Sequence, residues 1–151
     1  MTQLTDEIRQ ALKDALGPKG WSDDANELAP HVEDWRGRYQ GSTPILLKPG
    51  STEEVAAAVK ICADAGIAIT PQGGNTSLCG AATPQGEVLI SLKRMTRVRE
   101  IDVGNDSMTI EAGCVLENLQ NIAADADRLF PLALGSQGPA VIAGLISTNA
   151  G

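Results

Sequence analysis

Near its start the chain carries apolar residues at the spacing of one helix face. These residues are Leu4, Ile8, Ala11, Leu12 and Ala15. The pattern predicts an amphipathic helix that ends near Gly17 and packs against another part of the protein. The polar stretch that follows, residues 20–42, predicts an ordered irregular segment with Trp21, Trp35 and Tyr39 as isolated anchors. We expect both tryptophans to serve structural packing.

Two short apolar runs, residues 45–48 and 67–70, flank a second helical pattern. Ser51 and Glu54 form a capping box at the start of this helix, and Gly66 ends it. Its inward face consists of Val55, Ala58, Val59, Cys62 and Ala65. Together these elements predict a βαβ unit with parallel strands and a right-handed crossover. The segment after the second strand therefore leaves the carboxyl end of a parallel strand, where α/β proteins place their ligands.

The pattern changes in the second half of the chain. Residues 87–92, 97–103 and 107–112 predict three strands of a small mixed or antiparallel sheet, with a hairpin turn at residues 104–106. A helix is predicted from Val115 to Asp125. Basic residues surround the start of the second strand and predict a solvated strand face; they are Lys93, Arg94, Arg97 and Arg99.

A glycine-rich loop, residues 71–80, directly follows the second predicted strand. Gly73 and Gly74 let the backbone turn through positive φ and expose successive N–H groups, while Asn75, Thr76 and Ser77 add short polar side chains. Each N–H group on a phosphate oxygen contributes roughly 1.5–3 kcal/mol, so several of them can hold a pyrophosphate without a lysine. The loop has neither the Gly-Lys-Ser/Thr of a Walker loop nor the glycine spacing of a Rossmann fingerprint. A tight surface turn is the open alternative.

A second glycine-punctuated stretch, residues 130–151, predicts another loop. Its small apolar residues, with Ser136, Thr148 and Asn149, suit contact with a heteroaromatic ring. Taken alone, this stretch would be interpreted as an irregular packed connection. Two such loops in one short chain favour a binding site.

Composition and charge exclude several classes of protein. The net charge of −7 and the pI of about 4.6 exclude a nucleic-acid partner. The scattered Cys62, Cys79 and Cys114 predict no disulfide framework and no metal site, and Cys79 as a nucleophile lacks a histidine partner. His31 is expected to be an ordinary residue. The acidic start of the chain and the lack of a long apolar run predict a cytoplasmic protein with no transmembrane segment.

Several motifs in order along the chain carry a resemblance to a known family. They are residues 49–55, 71–80, 90–95, 111–113, 142–144 and 147–151. This set resembles the FAD-binding domain of the vanillyl-alcohol oxidase/PCMH superfamily, in the group that includes D-lactate dehydrogenase, D-2-hydroxyglutarate dehydrogenase and the flavoprotein component of glycolate oxidase. The resemblance implies an α+β (α/β) fold of two α/β subdomains with FAD between them. It predicts a helical arm over residues 1–35 and an FAD-binding PCMH-type domain over residues 36–151.

The same resemblance implies the residues that contact the cofactor. On the pyrophosphate side they are Gln72, Gly73, Gly74, Asn75, Thr76, Ser77 and Gly80, and on the ADP and flavin side Pro131, Gly135, Ser136, Ile142, Gly144, Thr148 and Asn149. Some relatives attach the flavin through a histidine after the paired glycines, where this chain has Asn75, so FAD is predicted to be non-covalent. Ala143 departs from the family, which usually has a glycine there.

The resemblance implies an FAD-linked oxidoreductase that transfers hydride from a D-2-hydroxy acid to the flavin. The motif at Gly151 continues in the family, so we expect an incomplete domain, inactive alone, with catalytic residues elsewhere. Expected partners are FAD and a small 2-hydroxy acid, and a homodimer is left open. One alternative is a non-catalytic nucleotide-binding or assembly module that needs a partner chain. Another is an FAD-linked reductase of the cell-wall precursor pathway, which uses a different second loop.

Overall fold

The computed structural model describes residues 3–150 and consists of two sheets with helices packed on them. Met1, Thr2 and Gly151, at the two ends of the predicted arm and domain, lie outside the described residues. The elements in chain order are α1 (Asp6–Leu16), β1 (Trp21–Ser22), α2 (Ala25–Leu28), a 3-10 turn (Ala29–His31), β2 (Leu46–Leu47), α3 (Thr52–Asp64), β3 (Ile69–Gln72), β4 (Val88–Ser91), β5 (Val98–Asp102), β6 (Ser107–Ile110), α4 (Leu116–Asp125) and α5 (Ile142–Thr148).

The first sheet has the strand order β1-β2-β4-β3, and β4 pairs in parallel with both β2 and β3. The prediction that grouped β4 with the later strands is therefore wrong. All four residues of β4 are buried, and a strand covered on both faces has the continuous apolar run of a central parallel strand. Helices α1 and α3 contact each other and bury Leu12, Leu16, Ala58 and Cys62 in the core of this sheet.

The predicted βαβ unit is present as β2, α3 and β3, with β4 inserted between its two strands. The capping box also forms: Glu54 donates its N–H to Ser51 Oγ at 3.2 Å, and its carboxylate accepts the N–H of Gly50 at 2.7 Å. Strand β3 runs two residues further than predicted, because Pro71 and Gln72 pair with Ile90 and Ser91. Pro71 is tolerated there because β3 lies at the edge of the sheet.

The second sheet is the antiparallel hairpin of β5 and β6, which packs with α4 and α5 around a separate core. Helix α5 was not predicted, since the sequence favoured a loop. A helix of seven residues is marginal by itself. Here Ile142 and Leu145 are buried, and the N–H groups of Ile142 and Ala143 donate to the carbonyls of Cys114 and Ala112 at 2.9 and 3.2 Å.

One prediction about an individual side chain is wrong. Trp35 is 65% exposed and contacts the guanidinium of Arg36 rather than a core. The predicted solvated face is confirmed, since Lys93, Arg94, Arg97 and Arg99 are all exposed. In addition, Arg97 and Arg99 donate to Glu111, whose side chain is 2% exposed. Trp21, in contrast, packs against the first core as expected.

Glu111 holds the hairpin through a charged hydrogen-bond cluster. The side chain of Arg97 donates to it at 2.8 and 3.0 Å, the N–H of Arg97 donates at 3.0 Å, and Arg99 donates at 3.4 Å. Hydrogen bonds from Arg97 are the main cause that lowers the pKa of the Glu111 carboxyl from 4.5 to about 2. The folded state therefore favours the ionised carboxylate.

We expect this carboxylate to make stability depend on pH in the acidic range. Its contribution is fully present above pH 4.5 and is lost as the pH falls toward about 2, because the unfolded state takes up the proton first. Urea unfolding between pH 6 and about pH 3 should show a shallower loss of stability for Glu111→Gln than for the wild type. The exposed Glu100→Gln is the matched control and should keep the wild-type slope. Equal slopes for Glu111→Gln and the wild type would contradict this account.

Candidate functional site

The glycine-rich loop leaves the carboxyl end of β3, as predicted, and presents a row of free N–H groups. Within residues 3–150, the N–H groups of residues 73–78 donate to no protein acceptor. The bonds at the far end of the loop are from Cys79 N–H to Ser77 Oγ at 3.4 Å and from Thr83 N–H to the Gly80 carbonyl at 3.0 Å. The free N–H groups are available to an anionic ligand.

Glycine is required at positions 73 and 74 for a reason other than the predicted positive φ. The residues of the loop with positive φ are Asn75, at 57°, and Gly80, at 72°, and not the pair itself. Gly73 and Gly74 instead allow the second loop to approach. A Cβ on Gly73 would lie 2.2 Å from Val141 Cγ2, and a Cβ on Gly74 would lie 2.0 Å from the carbonyl oxygen of Pro139.

This close approach forms a cavity of about 490 Å³ between the two loops. The volume is within the range of about 300–1,000 Å³ typical of small-molecule sites. In the described part of the chain, none of the residues that line the cavity carries a charge. Its walls consist of Pro71, Gly73, Gly74, Asn75, Thr76, Ser77, Leu78, Cys79, Ala81, Ala82, Leu134, Ser136, Val141, Gly144, Leu145, Ser147, Thr148 and Ala150.

Eight of the fourteen residues predicted to contact the cofactor line this cavity. They are Gly73, Gly74, Asn75, Thr76, Ser77, Ser136, Gly144 and Thr148. The two predicted loops therefore meet, although they are far apart in sequence. The Thr148 hydroxyl also donates to the Gly144 carbonyl at 2.9 Å, one turn earlier in α5.

The other six predicted residues lie away from the cavity walls. Gln72 and Ile142 are buried against protein groups. Gly80 contacts the ring of Tyr39, and Asn149 forms the left-handed C-cap of α5 and faces a neighbouring apolar cavity. Pro131 and Gly135 are exposed in the second loop.

A hydrogen-bonded pair behind the loop was missed by sequence reasoning, which took His31 for an ordinary residue. Gln72 Nε2 donates to the carbonyls of His31 and Ala82 at 2.9 and 2.8 Å, so Gln72 Oε1 accepts from His31 Nδ1 at 2.5 Å. Burial lowers the pKa of the His31 ring, which favours its neutral form with the proton on Nδ1. No local signal in the sequence joins these residues, which are 41 positions apart.

Cys79 lies on the rim of the cavity and is exposed. Its Sγ lies 3.2 Å from Ser77 Oγ, and this hydrogen bond is the main cause that lowers the pKa of the thiol. The histidine of the chain is committed to Gln72, so the structure provides no cysteine–histidine pair. Within residues 3–150, no cluster of three potential metal-ligating side chains occurs.

The geometry fits one end of a dinucleotide. Residues 73–78, whose N–H groups have no protein acceptor among the described residues, line one part of the cavity and suit a diphosphate. Small and apolar residues of the second loop and α5 line the other part and suit a flat ring. Asn75 has no nucleophilic group, and its side-chain amide donates to the carbonyls of Pro30 and Glu33. The position where some relatives attach a flavin covalently therefore carries no nucleophile here.

A comparison with family models matches residues 43–151 to the FAD binding domain. The match confirms the predicted recognition and the predicted cofactor, FAD. It covers both loops of the cavity.

Several dehydrogenases and related enzymes are similar in sequence to most of this chain. It is 43% identical over 140 residues to a probable mitochondrial D-2-hydroxyglutarate dehydrogenase of Oryza sativa. The match covers 92% of this chain and 25% of the relative. It is also 39% identical over 126 residues to a D-2-hydroxyglutarate–pyruvate transhydrogenase of Saccharomyces cerevisiae. This match covers 83% of this chain and 25% of the relative. The chain thus spans about a quarter of the length of these relatives, and their enzyme class agrees with the predicted oxidoreductase.

Solved structures show the same fold. An alkyldihydroxyacetonephosphate synthase matches with a TM-score of 0.87 at 22% identity, over 97% of this chain and 32% of that protein. A p-cresol methylhydroxylase matches with a TM-score of 0.70 at 20% identity, over 81% of this chain and 25% of that protein. These likenesses confirm the predicted fold class.

The predicted cytoplasmic location is wrong on this comparison. Relatives from Oryza sativa, Arabidopsis thaliana and Danio rerio are named as mitochondrial proteins. The composition of a folded domain does not determine its compartment, because targeting segments are read separately from the fold. Across residues 3–150, the helices are too short or too polar to cross a bilayer.

Proposed function

The chain belongs to the FAD-binding domain family, and from this premise we propose that it holds the pyrophosphate of FAD in the cavity between its two loops. The single observation that carries the proposal is that residues 73–78 all line that cavity and that none of their N–H groups donates to a protein acceptor among the described residues. Several N–H groups acting together stabilise a diphosphate without a cationic side chain. We propose residues 36–151 as this domain and residues 1–35 as the arm before it.

The proposed contacts are the eight predicted residues on the cavity walls. The N–H groups of residues 73–77 bind the diphosphate, and Ser136, Gly144 and Thr148 line the opposite side. The flavin is held non-covalently, since Asn75 stands at the attachment position of some relatives. Gln72, Gly80, Pro131, Gly135, Ile142 and Asn149 are not proposed as direct contacts, because they lie away from these walls.

For the protein as an enzyme, we propose oxidation of a D-2-hydroxy acid. Support comes from the relatives named as D-2-hydroxyglutarate dehydrogenases. FAD, when bound, supplies the acceptor for hydride from the carbon that bears the hydroxyl group. The chain's own contribution is to bind and orient the cofactor through neutral main-chain dipoles, and no residue described here is proposed as the acid or base.

Titration with FAD, followed by flavin fluorescence, tests the binding proposal. We expect saturable binding whose Kd changes by no more than about twofold between low salt and roughly 0.5 M salt, because no charged side chain of the described residues lines the cavity. Absence of binding, or a steep salt dependence, would contradict it. The chain is expected to be inactive alone, so the activity is tested on a chimera in which it replaces the matching quarter of the Oryza sativa relative. D-2-hydroxyglutarate but not its L-enantiomer should bleach the visible absorption of the FAD in this chimera.

A further inference from the structure

A segment that precedes the first parallel strand, residues 30–39, contacts the glycine-rich loop in its middle and at its far end. In the middle, Asn75 Nδ2 donates to the carbonyl oxygens of Pro30 and Glu33 at 3.3 and 2.8 Å. At the far end, the ring of Tyr39 lies against Gly80, where a Cβ would be only 2.6 Å from Cδ1 of that ring. We call residues 30–39 the brace.

The brace also reaches behind the loop. The side chain of Gln72 is 2% exposed and joins the brace to the loop, because its amide nitrogen donates both to the His31 carbonyl and to the Ala82 carbonyl. His31 Nδ1 donates back to the amide oxygen. The brace therefore contacts the loop at its start, through Gln72, in its middle, through Asn75, and at its end, through Gly80.

The brace has a conformation of its own that fixes Tyr39. Asp34 is 4% exposed, and its carboxylate accepts the N–H groups of Arg36, Arg38 and Tyr39 at 3.3, 2.6 and 2.7 Å. The bond from Tyr39 N–H is the main cause that lowers the pKa of the Asp34 carboxyl. Asp34 N–H donates in turn to the Tyr39 carbonyl at 3.0 Å, which closes the turn.

The loop needs such support because its own hydrogen bonds are few. N–H groups that are kept free for a ligand cannot also stabilise the loop that carries them. An unsupported glycine-rich loop loses conformational entropy when a ligand orders it, and that loss weakens binding. Contacts from outside the loop remove this cost in advance.

We propose that the residues of the brace are positioning residues for the cofactor, which hold the free N–H groups of residues 73–78 in the arrangement that a diphosphate requires. This proposal rests on the proposed function. The brace would thus contribute to FAD binding although it lies entirely before the matched family region, residues 43–151.

Two variants remove the two contacts separately, and each has a matched control. Asn75→Gly keeps a residue that tolerates φ of 57° but removes the amide that donates to the brace. Its control is Asp127→Gly, at φ of 56°, which is not among the residues that line the cavity. Tyr39→Ala removes the ring from Gly80, and its control is Tyr39→Phe, which keeps the ring.

Two measurements are made on the full chain. In the protein without FAD, ¹⁵N relaxation should give order parameters of about 0.85 for residues 73–80 in the wild type and controls, and below about 0.6 in Asn75→Gly and Tyr39→Ala. Titration with FAD should show a Kd raised about tenfold in these two variants and unchanged in the controls. A circular dichroism spectrum confirms that each variant is folded.

The outcomes separate this proposal from the one on which it rests. Loss of order and of FAD affinity in both variants, with both controls unaffected, supports the brace. If either quantity stays at its wild-type value while the wild type binds FAD, the positioning role is overturned and the proposed function stands. A wild type that binds no FAD overturns the proposed function itself and the positioning role with it.

Discussion

The variant Gly74→Ala is expected to lose FAD affinity by at least about a hundredfold and to lose about 1–3 kcal/mol of unfolding free energy. The added Cβ would lie 2.0 Å from the Pro139 carbonyl oxygen, 3.0 Å from its carbon and 3.2 Å from the Ala140 Cα. All three are backbone atoms, so no side-chain rotation relieves the overlap. The two loops that form the cavity must separate.

The backbone on the other side of this contact is firmly held. Ala140 is completely buried, its N–H donates to the Ser136 carbonyl at 2.9 Å, and its carbonyl accepts the N–H of Leu116 at 2.9 Å. Moving it would break the bond that joins the second loop to the start of α4. This is why we expect an effect on stability as well as on binding.

Urea unfolding and FAD titration measure the two effects. The matched control is Gly135→Ala, which lies in the same second loop, is exposed and has no atom within 4 Å of the added Cβ. It should retain the wild-type unfolding free energy within about 0.5 kcal/mol and bind FAD normally. Equal behaviour of Gly74→Ala and this control would show that the loops do not depend on their close approach.

The second large effect is a coupling between Gly73 and Val141. A Cβ on Gly73 would lie 2.2 Å from Val141 Cγ2, while the next nearest atom, Val141 Cβ, is 3.7 Å away. The overlap therefore involves a single methyl group. Gly73→Ala alone should cost about 1–3 kcal/mol, because Val141 is buried and has little room to move.

In a Val141→Ala background the same change should cost no more than about 0.5 kcal/mol, because the overlapping methyl is gone. Unfolding free energies of the wild type, both single variants and the double variant form the double-mutant cycle. A coupling of at least about 0.5 kcal/mol is expected. Strictly additive effects would contradict the view that overlap with Val141 is the reason for glycine at position 73. FAD affinity should recover in the double variant relative to Gly73→Ala.

Helices with strong local signals were predicted well. The caps made by Ser51 and Glu54 and the stop at Gly66 involve residues only a few positions apart. Ala58 and Cys62 repeat at the spacing of one helix face, and this periodicity is also a local signal, although their core partners are distant in sequence. The same holds for α1, where Thr5 caps the helix and Leu12 and Leu16 are buried. Such signals are legible in sequence because the interactions themselves are local.

Where distant contacts decide the structure, two features were not predicted: helix α5, and the place of β4 in the first sheet, although β4 itself was predicted as a strand. Helix α5 depends on hydrogen bonds to Ala112 and Cys114, and β4 depends on strands from two other parts of the chain. In the site, the sequence identified both loops but assigned the paired glycines to positive φ. Glycine is required at these two positions because Val141 and Pro139 pack closely against them, and this contact exists only in the folded chain.

The order of residues alone was enough to establish the polar, lysine-free glycine loop at the end of a strand and the family with its cofactor. Folding in three dimensions settled which predicted residues line the cavity and which residues hold the loop from behind. The physical reason is the sequence separation of the residues that interact. Caps, turns and periodicity act over a few residues, whereas His31 with Gln72, Tyr39 with Gly80 and Gly74 with Pro139 meet only after the chain has folded.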